Sequence, residues 1–162
     1  MNSKRNCYTK DLFNIAAVSA TNIVGDKEST IMNYEKWIIA IQGQYPEVNL
    51  ILFPELGIPG FWVNEEVLSY AESIPGSSIN RLCDLAKTYH VNLAVGIAEK
   101  DNNKFYITHV FVTPEGLLGK YRKVTLNLKM MGRFFSCGDQ FPVFETEGVK
   151  IGINICKPTF PI

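Results

Sequence analysis

Neither cysteine nor histidine is plentiful in this chain, and neither is grouped. The four cysteines, Cys7, Cys83, Cys137 and Cys156, form no CxxC pair and have no histidine close by, which argues against a zinc site and against a dense disulfide framework. The two histidines, His90 at a predicted helix end and His109 within a predicted strand, have ordinary structural readings. Net charge is absent too: sixteen Lys+Arg balance sixteen Asp+Glu, so no overall field favours nucleic acid, an acidic membrane surface or a polyanion. Apolar runs such as Leu50 to Phe53 fall far short of a bilayer span, and Met1 to Lys10 is too polar for a signal peptide. A cytoplasmic protein with reduced thiols is expected, three of them serving as small hydrophobes.

What the chain does have is enough apolar residues, 46% of the total, for one packed domain. Phe13 to Ala20 reads as a buried strand and is followed by a helix with Ile31, Tyr34, Ile38 and Ile41 on one face. Asn49 to Phe53 is a second apolar strand, stopped by Pro54-Glu55 and the turn-rich Gly57-Ile58-Pro59-Gly60. Ser77 or Ser78 is placed to cap a second helix with Ile79, Leu82, Leu85, Ala86 and Tyr89 inward, and Asn92 to Ala98 supplies a third strand. Tyr106 to Thr113, the turn Pro114-Glu115-Gly116 and Leu117 to Tyr121 read as strand, turn and return strand. Val143 to Thr146 and Val149 to Ile155, joined by Glu147-Gly148, read as a further hairpin. Helices between the early strands and hairpins later predict an α/β fold with a sheet of mixed direction.

Strand ends in such sheets open into the loops that build sites. Glu55 follows Leu50-Ile51-Leu52-Phe53, and Cys156 follows Ile151-Gly152-Ile153-Asn154-Ile155. A carboxylate there can serve as general base and a thiol as nucleophile, although a cap or salt-bridge partner and a buried filler are the commoner roles of these residue types at such places. In the basic run Lys120-Tyr121-Arg122-Lys123, strand alternation puts Lys123 on the face of Tyr121 and opposite Arg122. One cation can then point inward to stabilise a thiolate or an oxyanion, whereas such a run is usually a solvated strand end.

Phe53-Pro54-Glu55-Leu56 with Gly60-Phe61-Trp62, Thr113-Pro114-Glu115-Gly116, Gly119-Lys120-Tyr121-Arg122-Lys123, Arg133-Phe134-Phe135 before Gly138-Asp139, Phe141-Pro142-Val143-Phe144 and Gly152-Ile153-Asn154-Ile155-Cys156 occur in this order. Together they closely resemble the nitrilase, or carbon-nitrogen hydrolase, superfamily, from about Phe13 to Cys156. The resemblance implies an α-β-β-α sandwich, usually assembled into homo-oligomers, that hydrolyses a small amide, N-carbamoyl compound or nitrile without metal or organic cofactor. It implies Cys156 as nucleophile, Glu55 as general base, Lys123 as the cation facing the tetrahedral intermediate, and the backbone N–H of Lys157 as an oxyanion donor. The basic run and the Phe53-Pro54-Glu55-Leu56 segment look more like the amidase and carbamoylase branches than the true nitrilases.

The sequence also departs from the family pattern. The chain ends six residues after Cys156, so the resemblance covers the amino-terminal part of a domain that continues past its nucleophile, and an uncovered apolar face and sheet edge are expected. Met131 stands where a second glutamate is common, Ile107 where an asparagine is frequent, and Lys157-Pro158 where an aromatic residue and an acid usually follow the cysteine. The alternative to an enzyme is accordingly an inactive fragment or pseudoenzyme of the same family that binds a full-length relative or nothing at all.

Overall fold

The computed structural model describes residues 12–61, 64–127 and 131–156. Its first layer is a five-stranded sheet of β1 (Asn14–Ala17), β2 (Val48–Leu52), β3 (Asn92–Asp101), β4 (Lys104–Thr113) and β5 (Gly116–Arg122), in that spatial order. β1, β2 and β3 run parallel, and β4 and β5 are antiparallel to their predecessors. Parallel neighbours require crossovers, and the two helices supply them: α1 (Lys27–Gln44) joins β1 to β2, and α2 (Ser77–Tyr89), preceded by a 3-10 turn at Glu65–Tyr70, joins β2 to β3.

Both helices lie on one face of the sheet. Ile31, Tyr34 and Ile38 of α1 and Ile79, Leu82, Leu85 and Ala86 of α2 pack against Ile51, Leu93, Val95, Ile97, Val110 and Val112. Burying each large aliphatic side chain there contributes about 1.5 to 3 kcal/mol. Asp26 caps α1, its carboxylate accepting from the Ser29 N–H at 3.0 Å. α2 differs from expectation, because neither Ser77 nor Ser78 caps it. Gly76 occupies that position, and the Glu72 carboxylate reaches in from the preceding loop to accept from the Ser78 N–H and the Ser77 hydroxyl.

The opposite face carries a second layer, a two-stranded sheet of β6 (Val143–Thr146) and β7 (Val149–Gly152). The residue pattern gave this hairpin but not its standing apart as a second sheet, which the family resemblance implied. Glu147 and Gly148 both take positive φ, the twist that a two-residue hairpin turn needs. The same Glu147 accepts from Asn49 Nδ2 and Asn92 Nδ2, both at 2.7 Å, which fastens the turn to β2 and β3. At the other end of the hairpin Phe144 stacks on Phe111 with ring centres 5.4 Å apart. β7 stops at Gly152, three residues before the predicted end, because its partner β6 begins at Val143 and the residue before that is a proline, which has no N–H to offer a ladder. The α-β-β order of the expected sandwich is therefore present among the described residues, and its second helical layer is not among them. Along β1 the second-layer face is open, with Ile15 55% exposed. No helix in the described residues is long and apolar enough to cross a membrane.

Phe144 holds the thin second layer to the first, so Phe144→Ala is expected to cost about 3 kcal/mol. Equilibrium urea unfolding of the two proteins measures it, and an unchanged midpoint would mean that the hairpin does not depend on this contact.

Candidate active site

The chain leaves β2 at Leu52, and Phe53, Pro54 and Glu55 carry it over the end of the sheet. The close passage is possible because Gly96 of β3 has no side chain. A Cβ there would lie 2.3 Å from the Pro54 carbonyl oxygen, 2.7 Å from the Leu56 nitrogen and 2.8 Å from the Glu55 Cα. Phe53 is fixed on both sides: its ring stacks on Tyr34 of α1 at 4.0 Å, and its N–H donates to the Ala94 carbonyl at 2.9 Å.

Lys123 follows β5 and continues its alternation. Its N–H donates to the Ile107 carbonyl and its own carbonyl accepts from the Gly138 N–H, at 2.8 and 2.9 Å. The side chain, 7% exposed, ends 2.6 Å from Glu55 Oε1. Arg122 points to the other face, as alternation requires, and there meets Glu99, Asp101 and the ring of Tyr106. Glu99, almost fully buried, also takes hydrogen bonds from Lys120 and Thr108. Burial pushes the Glu99 carboxyl upward, but the bonds from Arg122, Lys120 and Thr108 outweigh it and hold it below the usual carboxylate range.

Cys156 is exposed and takes φ of 58°, a left-handed conformation uncommon for a residue with a side chain. Ile155 before it is buried with Leu56, Tyr121 and Leu126, which anchors the segment beside the Glu55 turn. Cys156, Glu55 and His109 line one cleft of about 550 Å³ between the two layers, with Ser19, Phe53, Phe111 and Asn154 among its other walls. Lys123 is outside that lining and is joined to it through Glu55. Of the four residues singled out in the sequence, three are thus brought to one place, and Lys157 lies outside the described residues, as do Pro158, Trp62 and Cys7.

Met131 and Ile107 share one apolar cluster with Tyr121 and Leu126, so the positions that carry polar groups in the family pattern are hydrophobic together. Cys83 is half-buried, as a small hydrophobe would be, but Cys137 is exposed. His90 ends α2 in a left-handed conformation, a plain structural role. His109 does more than its strand position implied. Its placement was recoverable from alternation, since it shares the parity of Phe111 on β4, but nothing local told which face would bear the cleft.

Two expectations follow from this geometry. Gly96→Ala forces the Pro54–Leu56 turn off the sheet, and a loss of about 1 to 3 kcal/mol in denaturant unfolding is expected; wild-type stability would show that the turn can shift freely. Glu99 is ionised more readily folded than unfolded, so its contribution is full above the unfolded carboxylate value and fades as pH falls through the lower, folded one. Glu99→Gln is expected to be less stable at neutral pH and to lose less stability on acidification than the parent, measured by urea unfolding across an acid series; parallel curves would contradict it.

A family model for carbon-nitrogen hydrolases matches residues 14–160. The chain is 35% identical over 154 residues to the probable nitrilase of Schizosaccharomyces pombe, covering 91% of this chain and 56% of that protein. It is 30% identical to an (R)-stereoselective amidase of a Pseudomonas species, over 86% of this chain and 50% of the relative. Among solved structures, a CN-hydrolase superfamily protein of Xanthomonas campestris superposes with a TM-score of 0.77 at 19% identity, over 88% of this chain and 52% of that one. An amidase of a Nesterenkonia species gives 0.77 at 20% identity, over 89% and 55%. The chain spans about half the length of the relatives it matches. With a nitrilase-type layering, a Glu55–Lys123 pair set at the end of its first sheet, and this likeness along almost its whole length, the chain belongs to the carbon-nitrogen hydrolase family.

Proposed function

We propose that the site hydrolyses a carbon-nitrogen bond in a small linear amide or N-carbamoyl compound, with Cys156 as nucleophile, Glu55 as general base and Lys123 as the electrostatic stabiliser. The observation that carries the reading is the buried Lys123 ammonium 2.6 Å from Glu55, at a cleft whose lining also includes Cys156. The Cys156 sulfur attacks the carbonyl carbon while its proton passes to Glu55, and the carbonyl electrons move to oxygen. Lys123 supplies fixed positive charge as that oxygen becomes anionic, with the Lys157 N–H as the second donor implied by the family. Collapse expels the amine, which takes the proton back from Glu55, and leaves a thioester. Water then attacks, again losing its proton to Glu55, and the thiol is released and reprotonated. No metal or organic cofactor enters this scheme, and a cytoplasmic homo-oligomer is part of the same reading.

The relatives support the substrate class, since they include both nitrilases and an amidase. The sequence features of the Lys120–Lys123 and Phe53–Leu56 segments place the amide and carbamoyl compounds first. A second reading, an inactive member of the family, is favoured by the buried Met131 and Ile107 in place of polar groups beside the Glu55–Lys123 pair.

Incubation of the chain with a panel of linear amides, N-carbamoyl amines and nitriles, with ammonia or amine release followed, separates the two. Turnover that falls on the order of a thousandfold in Cys156→Ala and about a hundredfold in Glu55→Gln is expected. Soluble, folded protein that releases nothing from any member of the panel would establish the inactive reading.

A further inference from the structure

Among the titratable side chains lining the cleft, Glu55 and Cys156 carry steps in the scheme above, and His109 carries none. It is 4% exposed, in the middle of β4, paired in register with Gly96 on one side and Tyr121 on the other. Gly96 is the residue over which the Pro54–Glu55–Leu56 turn lies, so His109 stands directly beside that turn, on the same face of the sheet. Its Nε2 is 3.2 Å from the Phe53 carbonyl oxygen. A carbonyl only accepts, so Nε2 carries the hydrogen and Nδ1 is left as a bare lone pair. Nδ1 is buried and has no hydrogen-bond partner among the described residues. The imidazole is consequently held from one side, by the residue two positions before Glu55.

A side chain that only filled space here would be apolar, as Phe111 two residues on is, and would leave no buried acceptor unsatisfied. The titratable groups that share its strand pairing or its cleft come from three different elements: Glu55 from the turn after β2, with Lys123 behind it, Tyr121 from β5, and Cys156 from the segment after β7. Burial lowers the imidazole's basicity, partly opposed by the Phe53 carbonyl and by Glu55, in keeping with an uncharged ring.

We propose that His109 is a positioning residue: its Nε2–H holds the Phe53 carbonyl and thereby fixes the carboxylate of Glu55 between Lys123 and Cys156. This rests on the reading of Glu55 as the base for Cys156. Without the bond, the turn over Gly96 is still tied to β3 at its two ends, by the Phe53 N–H to Ala94 and by the Ile58 N–H to Gly96, but the Phe53–Pro54 peptide that leads into Glu55 loses its restraint. The Glu55 carboxylate then shifts relative to the thiol whose proton it takes. Displacements of this kind, made away from the reacting atoms, cost rate rather than fold.

The rate at which iodoacetamide alkylates Cys156 at neutral pH tests this, read by peptide mass analysis of the full chain with the exposed Cys137 as internal reference. Glu55→Gln and His109→Met are each expected to slow Cys156 relative to Cys137 about tenfold or more. His109→Gln, whose amide can place an N–H where Nε2 stood, is expected to restore the parent's rate, and the shorter His109→Asn is not. If Glu55→Gln is slow while His109→Met reacts like the parent, the positioning role is overturned and the base reading stands. If Glu55→Gln leaves the rate unchanged, the base reading fails and the proposal with it. Should His109→Met lose its far-UV circular dichroism, the Gln and Asn variants decide, and equal rates for those two would overturn the proposal.

Discussion

The ion pair between Lys123 and Glu55, 2.6 Å long and largely out of water, is the constraint on which the arrangement of the site depends. Taking an ammonium and a carboxylate from water costs several kcal/mol for each, and their attraction repays that only when geometry is good and fixed. Removing one partner of such a pair typically destabilises by about 3 to 5 kcal/mol, because the other charge stays buried alone. The surrounding chain is arranged accordingly. Lys123 is tied through both its N–H and its carbonyl, and the turn that carries Glu55 is pressed onto Gly96. The main chain that carries each charge is thus held in place, and the Glu55 carboxylate stands on the wall of the cleft that Cys156 also lines.

The pleat of β5 sorts one basic run into two jobs. Lys120 and Arg122 fall on the helix side and neutralise Glu99, a carboxylate buried almost completely. Tyr121 and Lys123 fall on the other side and build the site. Three cations within four residues would repel one another if they shared a face and a partner; alternation puts Lys123 across the sheet from Lys120 and Arg122, and every one of the three has a carboxylate beside it. The two ion clusters are also different in kind. Glu99 is surrounded by two cations and a hydroxyl and is structural, whereas Glu55 has one cation and an open cleft beside it.

The second layer is small, yet it brings Cys156 to the cleft that Glu55 lines. Glu147 binds Asn49 and Asn92 at one end, Phe144 stacks on Phe111 at the other, and beyond β7 Ile155 is packed against Leu56 and Tyr121. These contacts are made by residues about thirty to a hundred positions apart in sequence, as Phe111 with Phe144 and Asn49 with Glu147 show. A local pattern carries no trace of such pairs, which is why Glu147 read only as half of a turn signal.

Periodicity and turn chemistry determined the order of helices and strands, the inward faces of α1 and α2, the hairpin turn at Glu147-Gly148 and the opposite facing of Arg122 and Lys123, because each depends on residues within a turn or a pleat of one another. The ordered motifs around Glu55, Lys123 and Cys156 went further and identified the family from sequence alone. What only the tertiary structure decided is where long-range partners lie: the capping of α2 by Glu72 instead of its own serines, the early end of β7 where β6 gives out, the place of His109 under the Glu55 turn, and the joining of Ile107 with Met131 in one apolar cluster. These are settled by the packing of one layer on another, and the free energy of that packing resides in pairs of residues that the sequence does not place next to each other.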